Sequence, residues 1–183
     1  MAKTARNAAM AMMAAAILTV PRVSGAADAP VADTSHVSHV RSASPALLGI
    51  IQQATERSAT FRGLVEKIDA SDSLVFVSEG RCGHGVRACF ASVTSSPTSR
   101  YMFVLVDTRK ADWDLMGSIG HELRHTLEVI AQPGIRDDVA KYFFYEQIGS
   151  HGASGARETP AAIEAGNTVR SEVRTFNPQT KSE

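Results

Sequence analysis

The sequence predicts an α+β domain in which a small antiparallel or mixed sheet packs with several helices. Three observations carry this expectation. Apolar residues recur at helical spacing from Pro45 to Ile68 and again in three later segments. Between them lie three short runs rich in Val and Phe, each bounded by turn residues. The order is helix, then strands, then helices, with no internal repeat.

The first 26 residues are set apart from this domain. Lys3 and Arg6 precede an uncharged apolar run of 13 residues (8–20), followed by Pro21 and a series of small residues. That is the layout of a secretory signal peptide, with Ser24-Gly25-Ala26 as the cleavage site and Gly25-Ala26-Ala27 fitting nearly as well. The run falls short of the roughly 20 residues needed to span a bilayer, so no transmembrane anchor is expected after cleavage. Cleavage leaves 157 of the 183 residues and removes three basic and no acidic side chains, moving the formal charge from 0 to −3. No basic patch emerges, and nucleic acid is not an expected partner. The expected product is an exported (periplasmic or secreted) monomer.

Residues 27–43 follow neither hydrophobic period and read as a flexible segment that carries His36 and His39. Ser44-Pro45 then starts a helix as cap and first residue, running to about Ile68 with a break near Ser58–Thr60. "LVFVSEG" (74–80), "ACFASV" (88–93) and "YMFVLVD" (101–107) are the strands. Cys82 and Cys89 lie between the first two. In an exported chain such a pair reads as a disulfide, and Gly83 and Gly85 let so small a loop close. A zinc site of Cys82, His84 and Cys89 is the minor alternative.

A long helix starts at Asp112 or Asp114, either of which can cap it, and stops before Pro133. A further helix covers about Asp137 to Ile148 and presents Val139, Tyr142, Phe143 and Ile148 to a core. The last runs from Pro160, capped by Thr159, to about Arg174. The domain therefore spans 44–175, and 176–183 is a disordered tail.

The long helix contains His121-Glu122-Leu123-Arg124-His125, an H-E-x-x-H run. Histidines at i and i+4 stand one turn apart on one face, so both imidazoles can reach one Zn²⁺. At about 100° per residue, Ser118, His121, His125 and Glu128 share one arc, while Leu115, Met116, Ile119, Leu123, Leu127 and Ile130 take the opposite side. Glu122 sits at the margin of the histidine face, placed to act as general base on a water that zinc activates.

These residues resemble those of the zincin metallopeptidases. The likeness rests on "HELRH", the strand "YMFVLVD" before it and the helices after it, over roughly residues 100–175. It implies a zincin-like fold, a Zn²⁺ cofactor, a peptide or protein substrate, and an upstream strand that edges the cleft and binds substrate backbone. The longer metzincin motif is absent, since Glu128 and Ala131 occupy its glycine and third-histidine positions. The resemblance is therefore to the gluzincins, in which a glutamate on a later helix completes the site, and to compact exported bacterial H-E-x-x-H proteins with an E-T-x-A-A helix.

Three carboxylates, Glu128, Glu146 and Glu158, compete for the role of third ligand, with Glu164 ranked behind Glu158 and Glu146. Glu158, in "RETPAAIEAG", is the first choice, because the small residues after it let its helix pack closely on another. Glu146 is the alternative. Glu128 lies beyond His125 on the side away from His121, and is expected to orient His125 or to be a plain surface charge rather than bind metal. Tyr142, Tyr145 and His151 are packing or loop residues in the simplest reading, with oxyanion stabilisation the other. The expected function is that of an exported zinc metallopeptidase with Glu122 as general base. The alternative is a non-catalytic envelope protein that binds zinc or captures peptides.

Overall fold

The computed structural model describes residues 37–83, 85–109, 112–151 and 157–178. The expected signal segment 1–26, residues 27–36 with His36, His84, and residues 179–183 of the tail lie outside the described residues. What is described is an α+β arrangement of five helices and a small mixed sheet.

Val40–Arg41 (β1) opens the sheet and pairs parallel to Ser73–Glu79 (β2), with Val40 opposite Val75 and nearly buried. This corrects the flexible reading at the end of segment 27–43. Backbone pairing and an anchoring bond from His39 N–H to Asp69 Oδ1 (2.6 Å) order these residues despite their lack of pattern. Next come helices Pro45–Arg57 (α1) and Ala59–Asp69 (α2), divided at Ser58. Ser58 ends one helix and caps the next, its Oγ accepting from the N–H of Phe61 at 2.9 Å. The same hydroxyl donates to Glu172, which also accepts from the Thr60 N–H and hydroxyl.

Ala88–Ser95 (β3) and Arg100–Val106 (β4) complete the sheet in the order β1-β2-β4-β3, with β2 and β4 parallel and β3 antiparallel to β4. The resemblance puts the "YMFVLVD" strand at the cleft edge; the structure puts β3 there instead. β4 is apolar at nearly every position because it is interior, with a partner on each side. Its Met102, Val104 and Val106 are buried with Val75 and Val77 of β2 beneath the helices. On the other face Phe76 stacks on Phe103, with ring centroids 5.6 Å apart. The Cys82–Cys89 disulfide is formed, across a loop in which Gly83 and Gly85 take positive φ of 78° and 75°.

Trp113–Ile130 (α3) is the central helix. Asp112 caps its start, accepting from the N–H of Leu115 and from Arg87. Arg100, buried on β4, caps its end by donating to the carbonyls of Val129, Ile130 and Gln132 at 3.0 to 3.1 Å. Asp138–Ile148 (α4) follows, then two short paired strands, Ser150–His151 (β5) and Arg157–Glu158 (β6), and finally Pro160–Thr175 (α5). The core expected from Val139, Tyr142, Phe143 and Ile148 is not there: these residues are 66%, 59%, 59% and 46% exposed. Helix α4 instead turns Ala140, Phe144 and Tyr145 inward.

Candidate metal centre

The site depends first on how closely α5 approaches α3. A Cβ at Gly117 would lie 2.9 Å from the carbonyl oxygen of Gly166, and one at Gly166 would lie 3.0 Å from Cβ of His121. Only hydrogen at both positions permits this spacing. Ala162 and Ala165 are buried in α5, as the small residues of that segment suggest. As a result the histidine side of α3 is not an open face. Helix α5 covers much of it, and His125 is 5% exposed although it lies off the apolar arc.

Three donor atoms converge here. Nε2 of His121 and Nε2 of His125 are 3.2 Å apart, and Oε2 of Glu158 lies 2.8 Å from the first and 3.7 Å from the second. Ligands of a tetrahedral zinc with bonds near 2.0–2.2 Å stand about 3.3 Å apart, so the triangle is of the right size. Oε2 of Glu158 is buried and accepts no well-directed hydrogen bond despite its nearness to His121. A buried carboxylate oxygen without a well-directed donor is costly unless a cation meets it. The group His121, His125 and Glu158 can therefore hold a metal ion. Glu158 reaches it from β6, where it pairs with Ser150, just before the cap of α5.

Glu128 lies beside His125 and outside the donor group. Its Oε2 is 2.9 Å from Nδ1 of His125, and a proton on Nδ1 in this contact would leave Nε2 as the atom that ligates a metal. Its Oε1 accepts from the hydroxyl of Thr159 at 2.6 Å, joining His125 to the residue after Glu158. Glu146 is not in the donor group: its carboxylate is held by Nε and Nη2 of Arg157. The structure thus separates the two leading third-ligand candidates, bringing Glu158 to the histidines and committing Glu146 to an ion pair.

Glu122 is buried beside the triad, and its Oε2 accepts from the N–H of Phe90 on the edge strand at 2.8 Å. Burial pushes its carboxyl above the ordinary range, against the pull of His125 and His121. Burial alone would lower His125, but Glu128 and then Glu158 overcome it and raise the imidazole to about 9. The His121 and His125 rings hold Glu158 down to about 2, against the cost of burial. Burial also opposes ionisation of Glu128, yet the bonds from His125 and Thr159 leave its pKa lowered. Such a nest of carboxylates around two imidazoles favours a bound cation.

The triad sits in a cleft of about 760 Å³ between β3 and α3, with α4, β6 and α5 contributing walls. Tyr145 lines it, but burial raises its pKa, and its hydroxyl donates to the carbonyl of His125 at 2.9 Å. It is a packing residue here, while Tyr142 is exposed at the rim. His151, on β5, is exposed and does not line the cleft. Sequence reasoning did not find Arg87, Lys141, Arg157 and Arg170, which also line it. Isolated basic residues, one before β3 and the others on α4, β6 and α5, leave no local pattern.

Among the described residues no helix is long and apolar enough to cross a membrane. That and the internal disulfide are compatible with an exported protein. No family model matches this chain, and no curated protein or solved structure matches it.

Proposed function

We propose that this chain is an exported zinc-dependent hydrolase of zincin, gluzincin-like type, acting as a peptidase. One observation carries the reading: two Nε2 atoms and one Oε2 converge at ligand spacing, with the Glu122 carboxylate beside them, in a cleft bounded by a strand edge. His121, His125 and Glu158 hold the ion. Bound zinc supplies a Lewis acid that polarises a carbonyl and acidifies water. Three protein ligands suit a catalytic site better than a closed structural one, which takes four.

Glu122 accepts a proton from the attacking water, whose hydroxyl adds to the amide carbon. The same proton then passes to the leaving nitrogen as the C–N bond breaks. Phe90, through its N–H, fixes the carboxylate that performs this transfer. Glu128 keeps His125 in its ligating tautomer.

The test is metal content and hydrolysis in four proteins. The wild type should bind about one zinc per chain and cleave an unfolded protein in a chelator-sensitive way, as a three-ligand catalytic site requires. Glu158→Ala should lose the metal, and Glu146→Ala should keep it. Glu122→Gln should keep the metal and lose hydrolysis. A zinc-loaded wild type that cleaves no substrate would leave a non-catalytic, zinc-binding envelope protein as the better reading.

A further inference from the structure

We infer that the cleft receives the end of a polypeptide rather than its middle, because among the described residues β3 offers a free edge on only one side of Glu122. This rests on the peptidase reading. Backbone groups along a strand point alternately to either side. Arg87 turns its carbonyl toward β4, where it accepts from Asp107 N–H at 2.8 Å. Phe90 turns its N–H the other way, to Glu122. Ala88, two residues before Phe90, therefore directs its backbone groups into the cleft.

From Phe90 onward the outward edge is already taken. Nζ of Lys141 donates to the carbonyls of Phe90 (3.4 Å) and Ala91 (2.8 Å). Asp138 Oδ1 accepts from the N–H of Val93 at 2.9 Å. The two side chains are bonded to each other at 3.0 Å, and the Lys141 ammonium also lies 4.7 Å from the centroid of the Phe90 ring. A lysine in solvent holds no such position, yet this side chain is 12% exposed. The register of β3 also shifts between Phe90 and Ser92, which interrupts regular pairing at the same point. Helix α4 thus covers the edge in the way proteins protect a strand from unwanted pairing, and among the described residues only this half is covered.

An extended chain entering the cleft can pair with β3 only before Phe90. Past Glu122 it meets the Lys141–Asp138 clamp, so the bond presented to Glu122 lies within a residue or two of a chain end. Lys141 and Asp138 are the specificity-determining pair, and neither touches the reacting atoms.

The experiment uses the zinc-loaded full chain with unstructured 15-residue peptides, products being identified by mass spectrometry. Terminal bonds should be cut at least about tenfold faster than internal ones, the difference one lost backbone hydrogen bond can impose. The Lys141→Ala/Asp138→Ala double variant should narrow that ratio about tenfold. A second readout does not need turnover: with Glu122→Gln, bound peptide should slow amide exchange at Ala88 and leave Val93 unchanged. Equal rates at internal and terminal bonds in the wild type would overturn the inference, and so would peptide protection at Val93. If the double variant does not fold, the wild-type product pattern still decides. Absence of any cleavage by the zinc-loaded wild type would instead remove the peptidase reading, and this inference with it.

Discussion

Gly117→Ala is the sharpest test of how the site is assembled. The new methyl would lie 2.9 Å from the carbonyl oxygen of Gly166 and 2.2 Å from Cγ of Arg170. Arg170 can swing away, at the expense of its bonds to Asp114 and Ser118. The Gly166 carbonyl belongs to α5 and moves only with that helix. Ordinary contact begins near 3.5 Å, so α5 must retreat by about half an ångström. Glu158 is tied to the start of the same helix, and metal–ligand distances tolerate only about 0.2 Å. Zinc affinity should therefore fall about tenfold or more, as when the support of a ligand is disturbed. Overpacking costs about 1–3 kcal/mol, of which replacing a helical glycine returns about 1. Gly49→Ala is the control: it lies within α1 and a Cβ there meets nothing within 4 Å. That variant should gain about 0.5–1 kcal/mol and bind zinc normally. Both are measured by urea denaturation and by zinc titration against a competing chelator. If Gly117→Ala gains stability like Gly49→Ala and binds zinc like the wild type, close approach of the helices does not set the site.

Three further outcomes are expected. Glu128→Ala should leave the fold intact and weaken zinc binding about 10- to 100-fold, because His125 loses the partner that fixes its tautomer; unchanged affinity in the chelator titration would remove Glu128 from the site. Arg100→Met should cost about 3 kcal/mol in urea denaturation, since it strips the donors from three carbonyls at the end of α3; a loss below about 1 kcal/mol would show that water replaces them. For Glu172, burial opposes ionisation, but bonds from Ser58 and Thr60 leave its pKa below the ordinary 4.5. Its stabilisation is thus present above that pH and lost as pH falls through the lower folded value. Glu172→Gln should flatten the fall in stability below pH 4.5, and identical pH profiles for the two proteins would contradict this.

The chemistry of this chain is largely local, and local chemistry is legible in a sequence. The i, i+4 spacing of His121 and His125 places both rings on one side of a helix wherever that helix lies. The caps Ser44, Asp112 and Thr159, the break at Ser58 and the closure of Cys82 on Cys89 each involve atoms a few residues apart. Tertiary structure decided what depends on distant segments meeting. Whether Glu158 or Glu146 faces the histidines depends on Arg157 capturing one carboxylate and on the β5–β6 pair presenting the other. The apolar stripe of α4 carries a helical period, but the period cannot say that Tyr145 turns inward while Val139 and Phe143 stay in water. The strongest strand lies in the middle of the sheet, and the weaker β3 became the edge because no other described strand pairs on its outer side. An edge is defined by which partners are missing, and a strand's own residues do not record that.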